Sequence, residues 1–447
     1  MSLTIQEPAR EAAPPAAPAA AGPAKPRLGW LDALRGFAAL SIMVGHFVQA
    51  VMPEVFARTA GKFDIGTYAV FLFFLVSGYI VPASLERRGS VRGFWVSRLF
   101  RIYPLCLFVV AVGAVAWKFD AYTQALTPLS WFTMEHPAIA ALGNATMLHD
   151  FVGVGGTVFV MWTLSYEMAF YLLVAALFVL NVHRRSAEIS TAFAVVAVAA
   201  VGAFPLITIA HDQSGLRRAV VGVAVVMALG LFGVMSRRRG VAVAGALVLG
   251  SLALGLLSLN TRLPGWFSMT ILATMFAGTA IYRAEQGQVR RLVCIAAGVV
   301  TVPLILLVGG RYGENGQVAP HFQWHWVTTM VATWATFALG MAVRRFRMPR
   351  VLTWLGSVSY SVYLVHAVLL SVMLWLISPN AVTSLSLGSR AVMGVGFCAV
   401  VLVISHLTFH LIELPAQRLG QRVTKAFDRP SARVAPAEAG APAAGRG

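Results

Sequence analysis

The sequence predicts an all-α polytopic membrane protein with about 12 transmembrane helices. Hydrophobic residues make up 58% of the chain, more than the roughly 45–50% that is usual in soluble domains. Only 12% of the residues are charged, and the mean hydropathy is +0.75. Apolar segments of about 20 residues recur between short basic loops, and a helix of that length spans a bilayer.

The apolar segments follow one another along the chain with few long interruptions. Those between 218 and 258 are short and rich in Gly, Val and Ala, so a count of about 10 or 11 helices also fits the sequence. The predicted segments are 28–51, 66–85, 102–118, 157–181, 190–210, 218–235, 240–258, 265–282, 292–310, 324–343, 352–377 and 391–413.

The positions of the basic residues predict that both termini face the cytoplasm. Most of the 35 Lys and Arg residues fall in the segments that this topology places inside, such as 86–101 and 344–350. This bias is the one that orients membrane proteins. The formal net charge of +18 is thereby explained, and we expect no nucleic-acid partner.

Three regions are predicted along the chain. Residues 1–27 form a Pro/Ala-rich tail that we expect to be disordered, because it has too few large apolar side chains to build a core. Residues 28–415 form the integral membrane domain, and residues 416–447 are expected to be a cytoplasmic, largely disordered tail. We expect no signal peptide, because a charged segment followed by an apolar one is missing at the N-terminus.

The first apolar segment carries three ionisable side chains, Asp32, Arg35 and His46. On a helix, Arg35 and His46 lie on one face, about 16 Å apart along the axis, and Asp32 falls near the same stripe. Ionisable groups in an apolar helix cost free energy unless they pair or face a polar cavity. The stripe therefore indicates a working site.

Arg98 and Arg101 are three residues apart and share a helix face at the inner end of the third segment. Two guanidiniums in that position are suited to hold a phosphate group through paired hydrogen bonds. The alternative is that they only fix the topology and contact lipid headgroups.

Glu167 lies inside the fourth segment, about 15 Å from its start. A carboxylate at that depth is protonated or paired, so Glu167 is a candidate site residue. The alternative is a structural hydrogen bond between helices. In the second segment, Ser77 and Gly78 are small residues that allow close approach of another helix.

Two late segments repeat one polar spacing. Ser359, Tyr363 and His366 stand at i, i+4 and i+7 on one helix face, where His366 fits a catalytic role and a satisfied core histidine equally well. The same spacing in His406, His410 and Glu413 would bring three metal ligands together, but polar residues are also tolerated near a membrane surface. We predict no metal site. No zinc or redox spacing connects the cysteines, which are Cys106, Cys294 and Cys398.

Six motifs, in this order, resemble the acyltransferase-3 family of membrane O-acyltransferases. The resemblance covers the chain from about Leu28 to Pro415. The motifs are Asp32-Ala-Leu-Arg35-Gly with its spacing to His46, Phe-Phe-Leu-Val-Ser-Gly-Tyr79, Arg98 and Arg101 before Ile-Tyr-Pro104, Trp162-Thr-Leu-Ser-Tyr-Glu167, Ser359-Tyr-Ser-Val-Tyr-Leu-Val-His366, and Glu413-Leu-Pro.

The resemblance implies transfer of an acyl group, most often acetyl, from cytoplasmic acyl-CoA to a hydroxyl of a carbohydrate or glycolipid, such as lipopolysaccharide. It implies no tightly bound cofactor and a place in the bacterial inner membrane. Members commonly have about ten helices, so the larger count predicted here departs from the family pattern. Some members carry an extra C-terminal hydrolase-like domain, and we expect none here.

His46 is the expected general base, because a neutral imidazole takes the proton of a sugar hydroxyl as it attacks a thioester. An acyl-histidine intermediate fits the sequence equally well. The other implied roles are donor-phosphate binding by Arg98 and Arg101, channel lining or oxyanion stabilisation by Arg35, orientation of Arg35 by Asp32, acceptor binding or tautomer control by Glu167, and support of the acceptor by Ser359, Tyr363 and His366.

The main alternative is a secondary transporter of about 12 helices, in which intramembrane charges serve as coupling sites. The two halves of the sequence show no similarity, and the polar residues concentrate in the first four and last two segments, which disfavours a transporter. A structural scaffold would leave Asp32, Arg35, His46 and Glu167 with no reason to bear their insertion cost.

Overall fold

The computed structural model describes residues 29–118, 135–199, 213–259, 262–312 and 317–428. These ranges contain sixteen α-helices and no β-strand. The helices are α1 (Gly29–Val51), α2 (Pro53–Ala60), α3 (Ile65–Arg88), α4 (Val91–Lys118), α5 (Pro137–Ala145), α6 (Trp162–Val179), α7 (Ser186–Ala199), α8 (Gln213–Val234), α9 (Arg239–Leu259), α10 (Gly265–Glu285), α11 (Arg291–Arg311), α12 (Trp324–Ala342), α13 (Arg350–Ile377), α14 (Pro379–Ser384), α15 (Leu387–Thr408) and α16 (Leu414–Asp428).

Among the described helices, 11 are long and apolar enough to cross a membrane. The chain is therefore an all-α polytopic membrane protein, as predicted, and the count lies within the range that the sequence left open. The exception among the predicted segments is 190–210, where α7 has only 14 residues and the remainder lies outside the described residues. The predicted tail 1–27 also lies outside them, and the cytoplasmic location of the termini stays a prediction.

The predicted C-terminal tail, residues 416–447, is described only as far as Asp428. Its first part is helical, because α16 continues to Asp428 and packs along α4, and the prediction that the tail is largely disordered stays a prediction. At Gly420 an added Cβ would lie only 2.6 Å from Phe100 Cβ. The helix forms because its less polar face rests on α4 while its basic face stays exposed. Residues 429–447 lie outside the described part of the chain.

A backbone contact between α1 and α13 organises the centre of the bundle. An added Cβ at Gly356 would lie 2.0 Å from the backbone oxygen of Asp32, so only glycine permits this approach. Because the helices touch here, the side chains farther along both helices also meet. His46 and His366 are two of those side chains.

A second close crossing joins α3 to α10. A Cβ at Gly78 would lie 1.9 Å from Met275 O, and Thr279 Oγ1 donates a 2.8 Å hydrogen bond to Gly78 O. The prediction that Gly78 permits close helix approach is confirmed. The neighbouring Ser77 faces the other way and lines two internal cavities.

Candidate active site

Two histidines from distant parts of the chain meet inside the helix bundle. His46 lies on α1 and His366 on α13, with His46 Nδ1 3.0 Å from His366 Nε2. The rings are stacked, with centroids 5.3 Å apart and planes 13° apart. His366 is fully buried and His46 is half-buried, so only His46 is open to a ligand.

The hydrogen bonds around His366 indicate which ring nitrogens carry protons. His366 Nδ1 lies 2.8 Å from the backbone oxygen of Val362. A carbonyl oxygen only accepts, so Nδ1 carries the hydrogen and the neutral ring offers Nε2 as an acceptor. His46 Nδ1–H then donates to that nitrogen. His46 Nε2 keeps its lone pair, which is the form that a general base needs.

A chamber of about 460 Å³, the His46 chamber, opens beside the His46 ring. The edge of Phe159 packs against that ring with centroids 4.7 Å apart, which fixes the ring from a second side. His366 lies behind His46 and is not part of the wall. The aromatic and polar side chains of the wall include Gln49, Asp64, Trp162, His325 and Tyr363.

Two smaller cavities continue from this chamber into the bundle. The middle cavity, of about 60 Å³, shares Val70 and Tyr363 with the His46 chamber. The arginine cavity, of about 40 Å³, shares Arg35 and Glu167 with the middle cavity. The three spaces therefore form one row. We call its two ends the histidine end and the arginine end.

The arginine cavity is built around Arg98. Its guanidinium lies over the rings of Phe94 and Tyr171, at 5.2 and 5.0 Å from their centroids, and the residue is only 6% exposed. The half-buried Arg101 lines the same cavity. Arg98 is too buried to contact lipid headgroups, so that alternative stays open only for Arg101.

Glu167 lies along the two smaller cavities rather than beside His46. Its carboxylate accepts the Tyr171 hydroxyl and lines both smaller cavities. In the structure, the residue that contacts His46 Nδ1 is His366. The predicted control of the imidazole tautomer by Glu167 is corrected accordingly. Glu167 shares a cavity wall with Arg98 and Arg101, whereas α13 packs on α1 and brings His366 to His46.

Arg35 occupies the middle of the row. It lines both smaller cavities, and Glu167 belongs to the walls of the same two cavities. Asp32 is half-buried and is not part of the wall of any of the three spaces. The three residues of the predicted stripe on α1 thus have different places. His46 lies at one end of the row, Arg35 lies nearer the other end, and Asp32 lies outside it.

Similarity to known proteins identifies the protein family. The model of a family described as an acyltransferase domain matches residues 28–409. The chain belongs to the acyltransferase-3 family. This match confirms the family that the six motifs indicate, and it favours an enzyme over the secondary transporter.

Two curated proteins are similar to parts of this acyltransferase-3 chain. Nodulation protein 10 of Rhizobium leguminosarum bv. viciae is 30% identical over 184 residues, which cover 39% of this chain and 49% of that protein. Acyltransferase MdmB of Streptomyces mycarofaciens is 31% identical over 163 residues, covering 33% of this chain and 38% of that protein. The chain thus spans half or less of the length of these relatives. No solved structure matches it.

The polar residues predicted on α13 of this acyltransferase-3 protein divide into two groups. Tyr363 and His366 reach the site, and the Tyr363 hydroxyl lies 2.6 Å from Thr163 Oγ1 where the His46 chamber meets the middle cavity. The Ser359 hydroxyl instead donates to Gly356 O at 2.9 Å within its own helix. Ser359 is not part of the wall of the three spaces.

The alternative metal cluster near the end of α15 does not form. The helix continues as a π-helix over Phe409–Glu413, which changes the register assumed from the sequence. Glu413 is 3% exposed and accepts the Ser361 hydroxyl, whereas His406 and His410 are exposed. No three metal-ligating side chains of the described residues lie close enough together to hold an ion.

Several residues that line the site were not predicted from the sequence, because none belongs to a recognisable polar stripe. Asp64 precedes α3, where its carboxylate caps the helix by accepting Thr67 N–H at 3.0 Å. Tyr360 lines both smaller cavities. His325 lies in the first turn of α12, between two tryptophans. Only His325 had a signal in the sequence, which is the Trp-His-Trp run, because an imidazole between aromatic residues suits a half-apolar binding surface.

One buried charged group lies outside the spanning helices. Asp150 is 3% exposed, and Arg262 Nη1 lies 3.6 Å from its Oδ1. Burial raises the pKa of Asp150 to about 6, because the loss of hydration outweighs the attraction of Arg262. Burial also lowers the pKa of His149 to about 4. Asp150 N–H donates to Ser165 Oγ at 3.3 Å, so this group supports the start of α6.

Proposed function

We propose that the protein is a membrane O-acyltransferase, which moves an acyl group, acetyl in the simplest case, from acyl-CoA to a hydroxyl of a carbohydrate. The observation that carries the proposal is the row of three cavities, because it joins an arginine cluster at one end to a neutral imidazole at the other. Donor and acceptor would enter from opposite ends. Only the acyl group and the arm that carries it would then cross the bilayer.

His46 is the general base of the proposed reaction. The acceptor lies in the His46 chamber with one hydroxyl on His46 Nε2, which takes the proton as the oxygen attacks the thioester carbonyl. A base positioned in this way contributes about 10²–10⁴-fold to the rate. His366 keeps the lone pair on Nε2 by accepting from Nδ1–H, so it positions His46 without touching the acceptor.

The donor would reach this hydroxyl through the two smaller cavities. Because these cavities are narrow, at about 60 and 40 Å³, only the thin pantetheine arm of the donor would enter them, and its nucleotide would stay outside the arginine end. Arg101, which is half-buried, would bind the donor phosphates. Arg98 Nε has no hydrogen-bond partner among the described residues, and with Arg35 it would donate to carbonyl groups of the arm.

The transfer balances with these two substrates alone. The acceptor oxygen forms the new ester bond to the carbonyl carbon, the C–S bond breaks, and coenzyme A leaves as a thiol after taking the proton held by His46. Direct attack and prior acylation of His46 Nε2 both use this geometry. Rapid quenching with labelled donor in the absence of acceptor separates the routes, because only the second leaves label on the protein.

We further propose that the arginine end faces the cytoplasm of a bacterial cell and that the inner membrane holds the protein. The basic residues where α3 ends and α4 begins, Arg87, Arg88 and Arg92, support this orientation, because positively charged connections are retained inside. The acceptor would then be an exported or cell-surface glycan at the opposite face.

The test is acyl transfer by purified protein in lipid nanodiscs, with radiolabelled acetyl-CoA and a panel of saccharides. His410 provides a matched control, because it is an exposed histidine that lines none of the three spaces. We expect wild type and His410→Ala to label a saccharide, and His46→Ala to be slower by at least about 10²-fold. Absence of labelled saccharide with wild type would contradict the proposed function, and full activity of His46→Ala would contradict the base assignment.

A further inference from the structure

A second chamber adjoins the His46 chamber and has no part in the transfer step. It has a volume of about 560 Å³ and shares four wall residues with the His46 chamber, among them Asp64 and His325. Each of the two chambers has the size of a complete small-molecule site, about 300–1,000 Å³. We call the second one the aromatic chamber, after Trp266, Phe267 and Trp326 in its wall.

The aromatic wall of this chamber is held rigidly. Trp326 packs edge-on against Trp266 and Phe267, with centroids 5.3 and 5.8 Å apart, and its Nε1–H donates to Ile305 O at 3.0 Å. A Cβ at Gly309 would lie 2.1 Å from Trp326 Cε2, so glycine is required for the indole to rest on α11. The wall is therefore preformed.

The aromatic chamber also has polar wall residues. Gln317 and Gln323 belong to it, in a segment tied by its backbone to the end of α11. Ala319 N–H donates to Arg311 O at 2.8 Å, and Gln323 N–H donates to Gly310 O at 2.7 Å. A wall that combines side-chain amides with aromatic rings matches a sugar ring, which has hydroxyl edges and apolar C–H faces.

The charge of the two chambers selects among sugars. Of the described residues that line them, none is Lys or Arg, although the whole chain carries a net charge of +18. The carboxylate of Asp64 lies in the shared wall, where Oδ2 accepts the Thr67 hydroxyl at 2.6 Å. A carboxylate there repels anionic ligands, so the chambers favour neutral sugar units.

We propose that the aromatic chamber is a second acceptor subsite, which binds the neutral sugar unit next to the unit that is acylated. This inference rests on the proposed function and specifies its acceptor, which is an oligosaccharide or polysaccharide of neutral units. The reacting unit occupies the His46 chamber. Asp64 and His325 lie where the two units join.

The test compares acceptors of matched chemistry in the nanodisc assay. The probes are methyl glycosides of glucose, galactose and N-acetylglucosamine, the neutral tetrasaccharides of the same sugars, and tetrasaccharides that contain glucuronic acid. The variants are Gln323→Ala, Asp64→Asn, and Gln421→Ala as a control on the exposed face of α16. Asn retains the capping ability of Asp64 while it removes the charge.

We expect wild type to use a neutral tetrasaccharide with a kcat/KM at least about tenfold above that for its methyl glycoside. Gln323→Ala should lower that ratio about three- to tenfold, as the loss of a hydrogen bond does, and Gln421→Ala should leave it as in wild type. Asp64→Asn should raise the use of the glucuronic acid tetrasaccharide relative to the neutral one.

Three results would overturn the subsite. They are equal kcat/KM for tetrasaccharide and methyl glycoside, an unaltered ratio in Gln323→Ala, and a wild-type preference for the anionic tetrasaccharide. Each of these still involves acyl transfer to a saccharide, so the proposed function would stand. Absence of transfer to every saccharide would instead contradict the proposed function, and the subsite with it.

Discussion

His46 Nδ1 lies 3.0 Å from His366 Nε2, although the two residues are 320 positions apart in the chain. The backbone oxygen of Val362 accepts from the other nitrogen of His366. A carbonyl group thus fixes the proton positions of two rings in series. The outcome is a lone pair on His46 Nε2, next to the His46 chamber.

His366→Ala should lower kcat about 10- to 100-fold, because His46 Nδ1 loses its acceptor and the ring is free to adopt the wrong tautomer. His366→Gln should recover part of the loss, since its side-chain oxygen also accepts from Nδ1–H. The measurements are kcat against pH and the melting temperature of each variant. Equal loss in both variants, in step with their loss of stability, would reduce His366 to a packing residue.

Arg98→Lys should raise the KM for acetyl-CoA about tenfold and leave the KM for the acceptor as in wild type. Lysine has no planar group to lie over the Phe94 and Tyr171 rings, and it offers fewer fixed donors. Steady-state kinetics with each substrate varied in turn checks this separation. A rise confined to the KM of the acceptor would show that Arg98 binds the acceptor and not the donor.

Ser77→Leu should lower transfer by at least about tenfold, because a larger side chain fills the two narrow cavities that Ser77 lines. Ser77→Ala is the matched control, since it removes the hydroxyl without adding volume, and it should stay within about twofold of wild type. Transfer rates are compared at equal amounts of folded protein. Full activity of Ser77→Leu would mean that the donor does not use this row.

Asp150→Asn should stabilise the protein at pH 7.5. The folded-state pKa of Asp150, about 6, lies above its ordinary value of 3.8, so the ionised form penalises folding by about 3 kcal/mol at that pH. As the pH falls through 6, Asp150 takes up a proton and wild type approaches the variant. The half-exposed Arg262 remains hydrated when its partner is neutral.

Melting temperatures of wild type and Asp150→Asn at pH 7.5 and pH 5 check this expectation. The lowered pKa of His149 makes both proteins less stable as the pH falls below about 6.5. This contribution is the same in both proteins, so it cancels when wild type and variant are compared at one pH. An Asp150→Asn variant that is less stable than wild type at pH 7.5 would show that Arg262 outweighs the loss of hydration.

Much of the fold and part of the site follow from local sequence. Apolar length marks the spanning helices, and helical periodicity places Arg35 and His46 on one face of α1, as the row of cavities confirms. The free-energy cost of placing a carboxylate inside a membrane singles out Glu167 as a candidate site residue, and Glu167 does line the row. These successes share one cause, since each depends only on residues within a single helix.

The remaining features depend on which helices touch. The approach of α1 and α13 at Gly356 decides that His366, rather than Glu167, contacts His46, and a single sequence carries no record of that pairing. The π-helix at Phe409–Glu413 turns Glu413 inward against an α-helical expectation. The amphipathic α16 was missed because its stability comes from α4 and not from its own composition.

Transfer across a sealed membrane tests the central claim most directly. Proteoliposomes would hold an accepted tetrasaccharide inside and receive radiolabelled acetyl-CoA outside, with a C-terminal tag reporting which vesicles expose the arginine end. We predict labelled tetrasaccharide inside those vesicles, and none with His46→Ala. Labelling only when donor and acceptor are on the same side would contradict a row of cavities that carries the acyl group between the two faces.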